Sequence, residues 1–315
     1  TIRDPNITTI GDMNLAAERV RFEGRREAPF FQCKSVLRVD LKGCTNLTSV
    51  GTGAFCDCTS LTSMVLPDSL TQLGDYAFQE CSSLTSVVLP DSLTQICDSA
   101  FAECTSLTSV VLPDSLTQLG IAAFGRCSSL ASVVFPNSLT QLGKQAFARC
   151  SSLTSAVLPD SLTQLGYGAF GECTTLTSVV MPDSLTQIDS FAFVKCSSLT
   201  SMVMPDCAEL GDHVFMDCNA LVQKAALAGF DSVEPYLRDR YKCITLRKLV
   251  LRLLRKYNKA VNYSDGTEVE KHATALALFP ADNSGSLEVG LFLQKMNISG
   301  GDGVIGLVGY ILKFV

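Results

Sequence analysis

The order of apolar and polar positions along this chain returns every 23 residues. One unit reads C-S-S-L-T-S-V-V-L-P-D-S-L-T-Q-L-G-x-x-A-F-x-x, and its first half has the form L-x-x-V-x-L-P. Apolar residues at positions 1, 4 and 6 predict a strand that turns Leu84, Val87 and Leu89 towards a core. Pro90 ends the strand, because proline cannot donate a hydrogen bond to a sheet.

The second half of each unit predicts a return path to the next strand. Leu93 and Ile96 place a second short apolar segment in the core, and Ala100 and Phe101 lie on a short helical turn that closes the coil. Cys104 then begins the following unit.

Three columns of residues repeat at this spacing. The cysteine column comprises Cys58, Cys81, Cys104, Cys127, Cys150, Cys173 and Cys196; the proline column Pro67, Pro90, Pro113, Pro136, Pro159, Pro182 and Pro205; and the phenylalanine column Phe78, Phe101, Phe124, Phe147, Phe170 and Phe193. A single unit cannot bury its apolar side, so the repeats predict a solenoid in which each unit packs on its neighbours. The edges are irregular, as capping repeats usually are: Cys33 opens a 25-residue unit, Cys196 opens a 22-residue unit, and residues 7–12 look like half a unit.

The L-x-x-V-x-[IL]-P and A-F-x-x-C signatures resemble those of BspA-like leucine-rich repeats, over about residues 33–221. The resemblance implies an α/β leucine-rich-repeat solenoid, with a curved parallel sheet and short helical turns. It also implies a surface or interaction protein without shared catalytic residues.

The 14 cysteines would suggest a disulfide framework in a small secreted protein. Here most of them follow the repeat, so successive thiols lie in parallel and do not point at one another. We expect a stack of buried, reduced thiols. Cys56 and Cys58 are the one pair close in sequence, and a zinc site there would need two further ligands that the sequence does not place.

Position 5 of the strand predicts a row of outward-facing valines, with threonine and serine columns beside it and no charge. These valines are the first candidate partner-binding residues: Val65, Val88, Val111, Val134, Val157, Val180 and Val203. A contiguous apolar stripe usually marks a contact site, although β-branched residues also simply suit a pleated surface. The near identity of the units favours a repetitive or extended partner, or packing against the C-terminal part of the chain.

The residue after each proline of the proline column is acidic, except at Asn137. The acidic positions are Asp68, Asp91, Asp114, Asp160, Asp183 and Asp206. Aspartate after proline suits a turn, while a basic partner or calcium along this edge is the alternative. Residues 33–221 hold 7 basic and 17 acidic side chains, within a chain of 315 residues and net charge −6.

Residues 222–263 reverse that charge, with 10 basic and 3 acidic side chains. Apolar residues at helical spacing predict a basic amphipathic helix there. Its basic face supplies the second set of candidate partner-binding residues: Arg247, Lys248, Arg252, Arg255, Lys256 and Lys259. The helix could cap the solenoid, dock on a partner protein, or contact an anionic membrane surface.

Residues 279–294 resemble the loop and exit helix of an EF-hand. Asp282, Ser284 and Gly285 fit the loop, but Pro280 and Leu291 stand where the acidic first and last ligands belong. We therefore expect a degenerate loop that binds no calcium. The predicted organisation is an N-terminal cap (1–32), a solenoid (33–221), a basic helical cap (222–263) and a small helical EF-hand-like segment (264–315).

Little in the sequence points to catalysis, a cofactor or a metal. The two histidines, His213 and His272, have no partner cysteine, serine or carboxylate in a recognisable arrangement, and no phosphate loop or dinucleotide fingerprint occurs. The acidic balance argues against a nucleic-acid partner. No small-molecule substrate is indicated.

The sequence therefore predicts a non-catalytic protein-interaction or scaffold protein, a structural or accessory subunit of a larger assembly. The free-thiol column favours an intracellular or organellar location, and neither a signal peptide nor an apolar run of about 18 residues is found. Two alternatives stay open. One is a secreted or cell-surface adhesion protein, which the sequons at Asn6, Asn46, Asn262 and Asn297 would permit; the other is a calcium-responsive regulator.

Overall fold

The computed structural model describes residues 30–205 and 207–241, together with the backbone of one short strand at Thr9–Ile10. These residues fall into two units, divided after Lys224. The first unit is a parallel β-solenoid. We call each of its repeats a rung and let it begin at the residue of the cysteine column.

Each complete rung contributes two strands. The second strands form one nine-stranded parallel sheet, with the strands in chain order. Its members are β1 (Thr9–Ile10), β3 (Ser49–Val50), β5 (Gln72–Leu73), β7 (Gln95–Ile96), β9 (Gln118–Leu119), β11 (Gln141–Leu142), β13 (Gln164–Leu165), β15 (Gln187–Ile188) and β17 (Glu209–Leu210). Equivalent positions pair with one another, as Gln118 does with Gln141, so every column of the repeat lies in register.

The first strands form three short parallel sheets, β2-β4-β6, β8-β10 and β12-β14-β16. Their bounds are β2 (Arg38–Asp40), β4 (Ser63–Val65), β6 (Ser86–Val88), β8 (Ser109–Val111), β10 (Ser132–Val134), β12 (Ser155–Val157), β14 (Ser178–Val180) and β16 (Ser201–Val203). Backbone hydrogen bonds bridge the two breaks, from Thr108 N to Thr85 O at 3.2 Å and from Thr154 N to Ala131 O at 3.4 Å. The rungs therefore stay stacked along this whole face.

The segment between β7 and Cys104 closes the rung and stacks in the same way as the strands. The predicted helical turn takes the form of consecutive tight turns, in which Ser99 and Glu103 adopt positive φ angles of 54° and 62°. Their amide groups and that of Phe101 donate to carbonyls of the next rung at 2.8 Å. These turns add a third ladder of backbone hydrogen bonds between neighbouring rungs.

The core lies where the sequence pattern places it. Leu84, Val87, Leu89, Leu93, Ile96, Ala100 and Phe101 are all buried, as are their equivalents in almost every rung. The phenylalanine column is the largest component, since its rings stack face to face with centroids 5.0 to 6.0 Å apart. In the structure the stack extends beyond the six residues of the predicted column, to Phe55 and Phe30 at one end and to Phe215 at the other.

The solenoid is followed by helix α1 (Asn219–Leu227). The turn after the helix contains Gly229, whose φ of 84° is favourable only for glycine, and the amide of Phe230 donates to Ala225 O at 3.0 Å. In the second unit the chain is helical again from residue 233 to residue 241, where Arg238 pairs with Glu234 at 2.9 Å. Within the described ranges, none of the helices has the length and hydropathy required to cross a membrane.

Candidate interaction surface

The first strands carry a row of exposed valines, as the pattern predicts. Val65, Val88, Val111, Val134, Val157 and Val180 are the third residues of β4, β6, β8, β10, β12 and β14. Their exposed fractions run from 44% for Val65 to 78% for Val88. Val203 occupies the same position in the shorter last rung and is half-buried. We call the six exposed residues the valine stripe.

Threonines flank the valine stripe and are used in stacking the rungs. Thr177 Oγ1 donates to Thr154 O at 2.9 Å, and the same bond joins Thr85 to Thr62 and Thr108 to Thr85 at 3.4 Å. These hydroxyls already donate hydrogen bonds within the solenoid, and the serines beside them are uncharged. A protein that covered the valine stripe would therefore not have to desolvate an ionised group there. The threonine column has a structural role that the sequence pattern did not reveal.

The turn after each proline holds a second hydroxyl ladder. Leu93 N donates to Pro90 O at 3.0 Å and closes the turn, while Ser92 Oγ donates to Leu70 O of the preceding rung at 2.6 Å. The equivalent serines repeat this bond down the solenoid. Asp91 lies exposed in the same turn. The abundant serines thus tie one rung to the next.

The cysteine column is a stack of buried free thiols, as predicted, and the 13 cysteines in the described part of the chain all lack disulfide partners. Cys127 Sγ donates to Phe101 O at 3.1 Å, and the bond repeats from rung to rung. Burial raises the pKa of Cys127 and of Cys173 to about 12. A protonated thiol is a poor nucleophile and a poor metal ligand, so this column acts as core.

Cys56 and Cys58, which are close in sequence, do not form a disulfide in the structure. Cys58 Sγ joins the thiol ladder by donating to Phe30 O at 3.0 Å, whereas Cys56 Sγ donates to Gln79 Oε1 at 3.8 Å. Burial raises the pKa of Cys58 to about 12. In residues 30–205 and 207–241, no three His, Cys, Asp or Glu side chains are arranged to hold a metal ion.

The remaining predicted site residues fall largely outside the described residues. These are Arg247, Lys248, Arg252, Arg255, Lys256 and Lys259 of the basic segment, together with His272 and the EF-hand-like residues 279–294. His213 lies exposed on a turn, with its ring 5.3 Å from that of Phe191.

A further surface was not predicted from the sequence, although its residues are the variable positions written x in the repeat unit. The four variable positions of G-x-x-A-F-x-x-C lie together on the turns of successive rungs, and we call this surface the turn face. Residues 23 apart meet there: Arg126 Nη1 pairs with Glu103 Oε1 at 3.0 Å, and Arg149 Nη2 with Glu172 Oε1 at 3.1 Å. The signal that could have found this surface is rung-to-rung variation.

Comparison with solved structures identifies similar solenoids. A leucine-rich repeat protein from Bacteroides ovatus is 30% identical, with a TM-score of 0.54, over 57% of this chain and 49% of its own. A leucine-rich repeat protein from T. pallidum is 31% identical over 59% of this chain and 78% of its own, with a TM-score of 0.44. This chain spans about half the length of the Bacteroides ovatus protein. No curated protein shows significant sequence similarity to it.

A family profile decides the classification. The profile described as "BspA type Leucine rich repeat region (6 copies)" matches residues 26–154 and again residues 94–222. It ends before the EF-hand-like segment and gives that interpretation no support. Because the match covers more than half of the 315 residues and the solenoid has the corresponding stacked rungs, this protein belongs to the BspA-type leucine-rich repeat family.

Proposed function

We propose that this chain is a non-catalytic protein-interaction or scaffold protein that works as an accessory subunit of a larger assembly. The observation that carries the proposal is the valine stripe, six apolar side chains exposed in consecutive rungs. Apolar surface that is contiguous in this way is a common mark of a protein contact site. Membership of a leucine-rich repeat family is consistent with such a role.

The chemistry of the valine stripe favours a protein partner over a charged ligand. Its flanking threonine and serine columns carry no charge, and the strands already use their backbone groups within the solenoid. A partner would therefore bind through side-chain packing and would not add a strand. The basic segment with Arg247, Lys248 and Arg252 is the second contact that we propose.

Photo-crosslinking from the stripe tests this function. A photoreactive amino acid would replace Val111, and in a separate variant Gln118 of the nine-stranded sheet, in protein expressed in its native source. Both positions are exposed and lie in the same rung. We expect a covalent adduct with a defined foreign chain from position 111 and none from position 118.

Equal labelling from both positions would mean that the stripe is ordinary surface. An adduct from position 118 alone would move the contact to the other sheet. A monomeric protein that gives no adduct from either position would contradict a scaffold role.

Adhesion at a cell surface is the second candidate, and the position of one sequon favours it. Asn46, in the sequon Asn46-Leu47-Thr48, is exposed within the solenoid. A glycan there requires passage through a eukaryotic secretory route. Intact mass spectrometry of protein from the native source should show added hexose mass if the protein follows that route to the surface, and unmodified asparagines would count against a eukaryotic secretory route.

A further inference from the structure

The turn face differs from the rest of the solenoid because its chemistry changes from rung to rung. The valine, threonine and glutamine columns present nearly the same side chain in every rung. A partner bound there can therefore shift by one rung with little change in binding free energy. On the turn face, one variable position reads Glu80, Glu103, Arg126, Arg149 and Glu172 in successive rungs. A partner that must find a single position along the solenoid can therefore find it here.

The middle of the turn face is a basic patch in an acidic solenoid. The rung formed by residues 127–149 contains Lys144 and Arg149 and no acidic residue, and the preceding rung ends in Arg126. Residues 58–103, the two rungs before these, contain six acidic residues and no basic one. The positive patch thus extends over only about two rungs before the charge reverses.

A groove of about 380 Å³ runs across this patch. It is lined by both arginines, by Glu103 and Glu172, and by small residues such as Ala122 and Gly125. The short side chains leave room for a main chain to lie close to the rungs. Gln145 also lines the groove and offers an amide group to that chain.

The two arginines are drawn apart by their partners. Arg126 pairs with Glu103 of the preceding rung and Arg149 with Glu172 of the following one, so the guanidinium groups lean in opposite directions along the solenoid. The arginines are 57% and 50% exposed. Exposed pairs of this kind contribute little to stability, so the arginines can exchange their glutamates for a carboxylate of a ligand.

We propose that this groove binds an extended acidic segment of a partner protein, with carboxylates at alternate positions held by Arg126 and Arg149. Alternate side chains of an extended chain lie on the same side about 6.6 Å apart. The two arginines lie in neighbouring rungs, and the stacked rings of Phe124 and Phe147 in those rungs have their centroids 5.5 Å apart, which is close to that spacing. A Glu-x-Glu or Asp-x-Asp segment running along the solenoid therefore matches both positive groups.

A long polyanion fits the same groove poorly. A nucleic-acid strand carries a negative charge at every nucleotide and would extend over the acidic rungs of residues 58–103. Glu103 and Glu172, at the two ends of the patch, would oppose it. A short acidic peptide avoids the acidic rungs, and at Arg126 and Arg149 its carboxylates take the places of Glu103 and Glu172.

The inference rests on the proposed interaction role but concerns different residues, so its test is separate from crosslinking at Val111. The full chain would be titrated into a fluorescein-labelled ten-residue peptide of alternating Glu and Ser, and binding followed by fluorescence anisotropy. Comparison probes are a peptide with the same glutamates in one block, a peptide with Gln for Glu, and a ten-nucleotide oligothymidine.

The test variant is Arg126→Gln/Arg149→Gln. The control, Lys34→Gln/Lys195→Gln, removes the same charge from two other exposed positions, one of them in the same column of the turn face. We expect the dissociation constant for the alternating peptide to rise at least tenfold in the test variant and less than twofold in the control.

Three outcomes would overturn the inference. The wild-type protein fails to bind the alternating peptide, or both variants lose affinity equally, or the block peptide or oligothymidine binds as tightly. Any of these would leave the valine stripe as a contact to be judged by its own experiment.

Discussion

At the scale of single residues, this protein repeats a few side-chain roles many times. A cysteine donates to a phenylalanine carbonyl, a serine donates to a leucine carbonyl, and a glycine allows two rungs to touch. At Gly143 an added Cβ would lie 2.3 Å from Gly120 O, so no larger residue fits without a backbone shift. The repeat in the sequence reveals the cysteine, serine and glycine columns, but only the structure shows which atoms they contact.

The buried thiols predict how stability depends on pH. Burial raises the pKa of Cys127 from 9.0 to about 12, so folding favours the protonated thiol. Its contribution is complete below pH 9 and is lost as the pH rises from 9 to 12. Cys127→Ser removes this thiol but keeps a donor for Phe101 O. Between pH 9 and 12 its free energy of unfolding should fall less steeply than that of the wild type, and the difference in slope should be about 1.4 kcal/mol per pH unit.

Urea unfolding at pH 8, 9, 10 and 11 provides the measurement for this prediction. Cys207→Ser changes an exposed thiol and is the matched control. If wild type and Cys127→Ser lose stability at the same rate above pH 9, the Cys127 thiol has no part in the pH dependence.

At the scale of elements, the strands of two or three residues are too short to be stable alone, and stacking makes them persist. Each strand pairs in register with strands of the neighbouring rungs, and the turns add hydrogen bonds of the same kind. The period of the sequence was sufficient to predict the first strand of each rung and the buried positions, whereas the second apolar segment, which forms the nine-stranded sheet, was not predicted to be a strand. It was not sufficient for the tight turns of the closing segment, because their positive φ angles occur at residues as different as Tyr76, Arg126 and Phe191.

The phenylalanine stack should dominate the stability of a rung. Phe124 is fully buried between Phe101 and Phe147, with ring centroids 5.2 and 5.5 Å away. Phe124→Ala should therefore lower the free energy of unfolding by about 3–5 kcal/mol, as for other buried aromatic residues.

Phe191→Ala is the control for this variant, because Phe191 is half-buried on the turn face. It should cost less than half as much. Urea unfolding monitored by circular dichroism compares the two variants, and similar losses would show that the stack is no more stabilising than a surface contact.

At the scale of the whole molecule, the solenoid is a sum of rungs and of the interfaces between them. In the hydrogen-bond ladders, each rung bonds to the rung before it and to the rung after it. The solenoid can therefore be lengthened or shortened by whole rungs. The charge of the turn face, in contrast, changes from one rung to the next.

Deletion of one rung tests this organisation. Removing residues 104–126 takes out 23 residues and brings Cys127 into the place of Cys104. The shortened protein should fold, keep the far-ultraviolet circular dichroism spectrum of the wild type per residue, and unfold at a moderately lower urea concentration.

Removing only residues 104–115 takes out about half a rung, puts the cysteine and phenylalanine columns out of register, and should abolish cooperative unfolding. Equal behaviour of the two deletions would contradict a solenoid whose stability depends on rung register.

The sequence by itself determined the repeat, the buried columns, the free thiols and the exposed valines. Period and alternation are local properties of a chain, and a strand turns its alternate side chains to opposite sides wherever it lies. Only the tertiary structure decided which variable residues become neighbours, since Glu103 and Arg126 meet because their rungs stack in register. The groove between the two arginines, and the acidic segment that we expect to fill it, follow from that register.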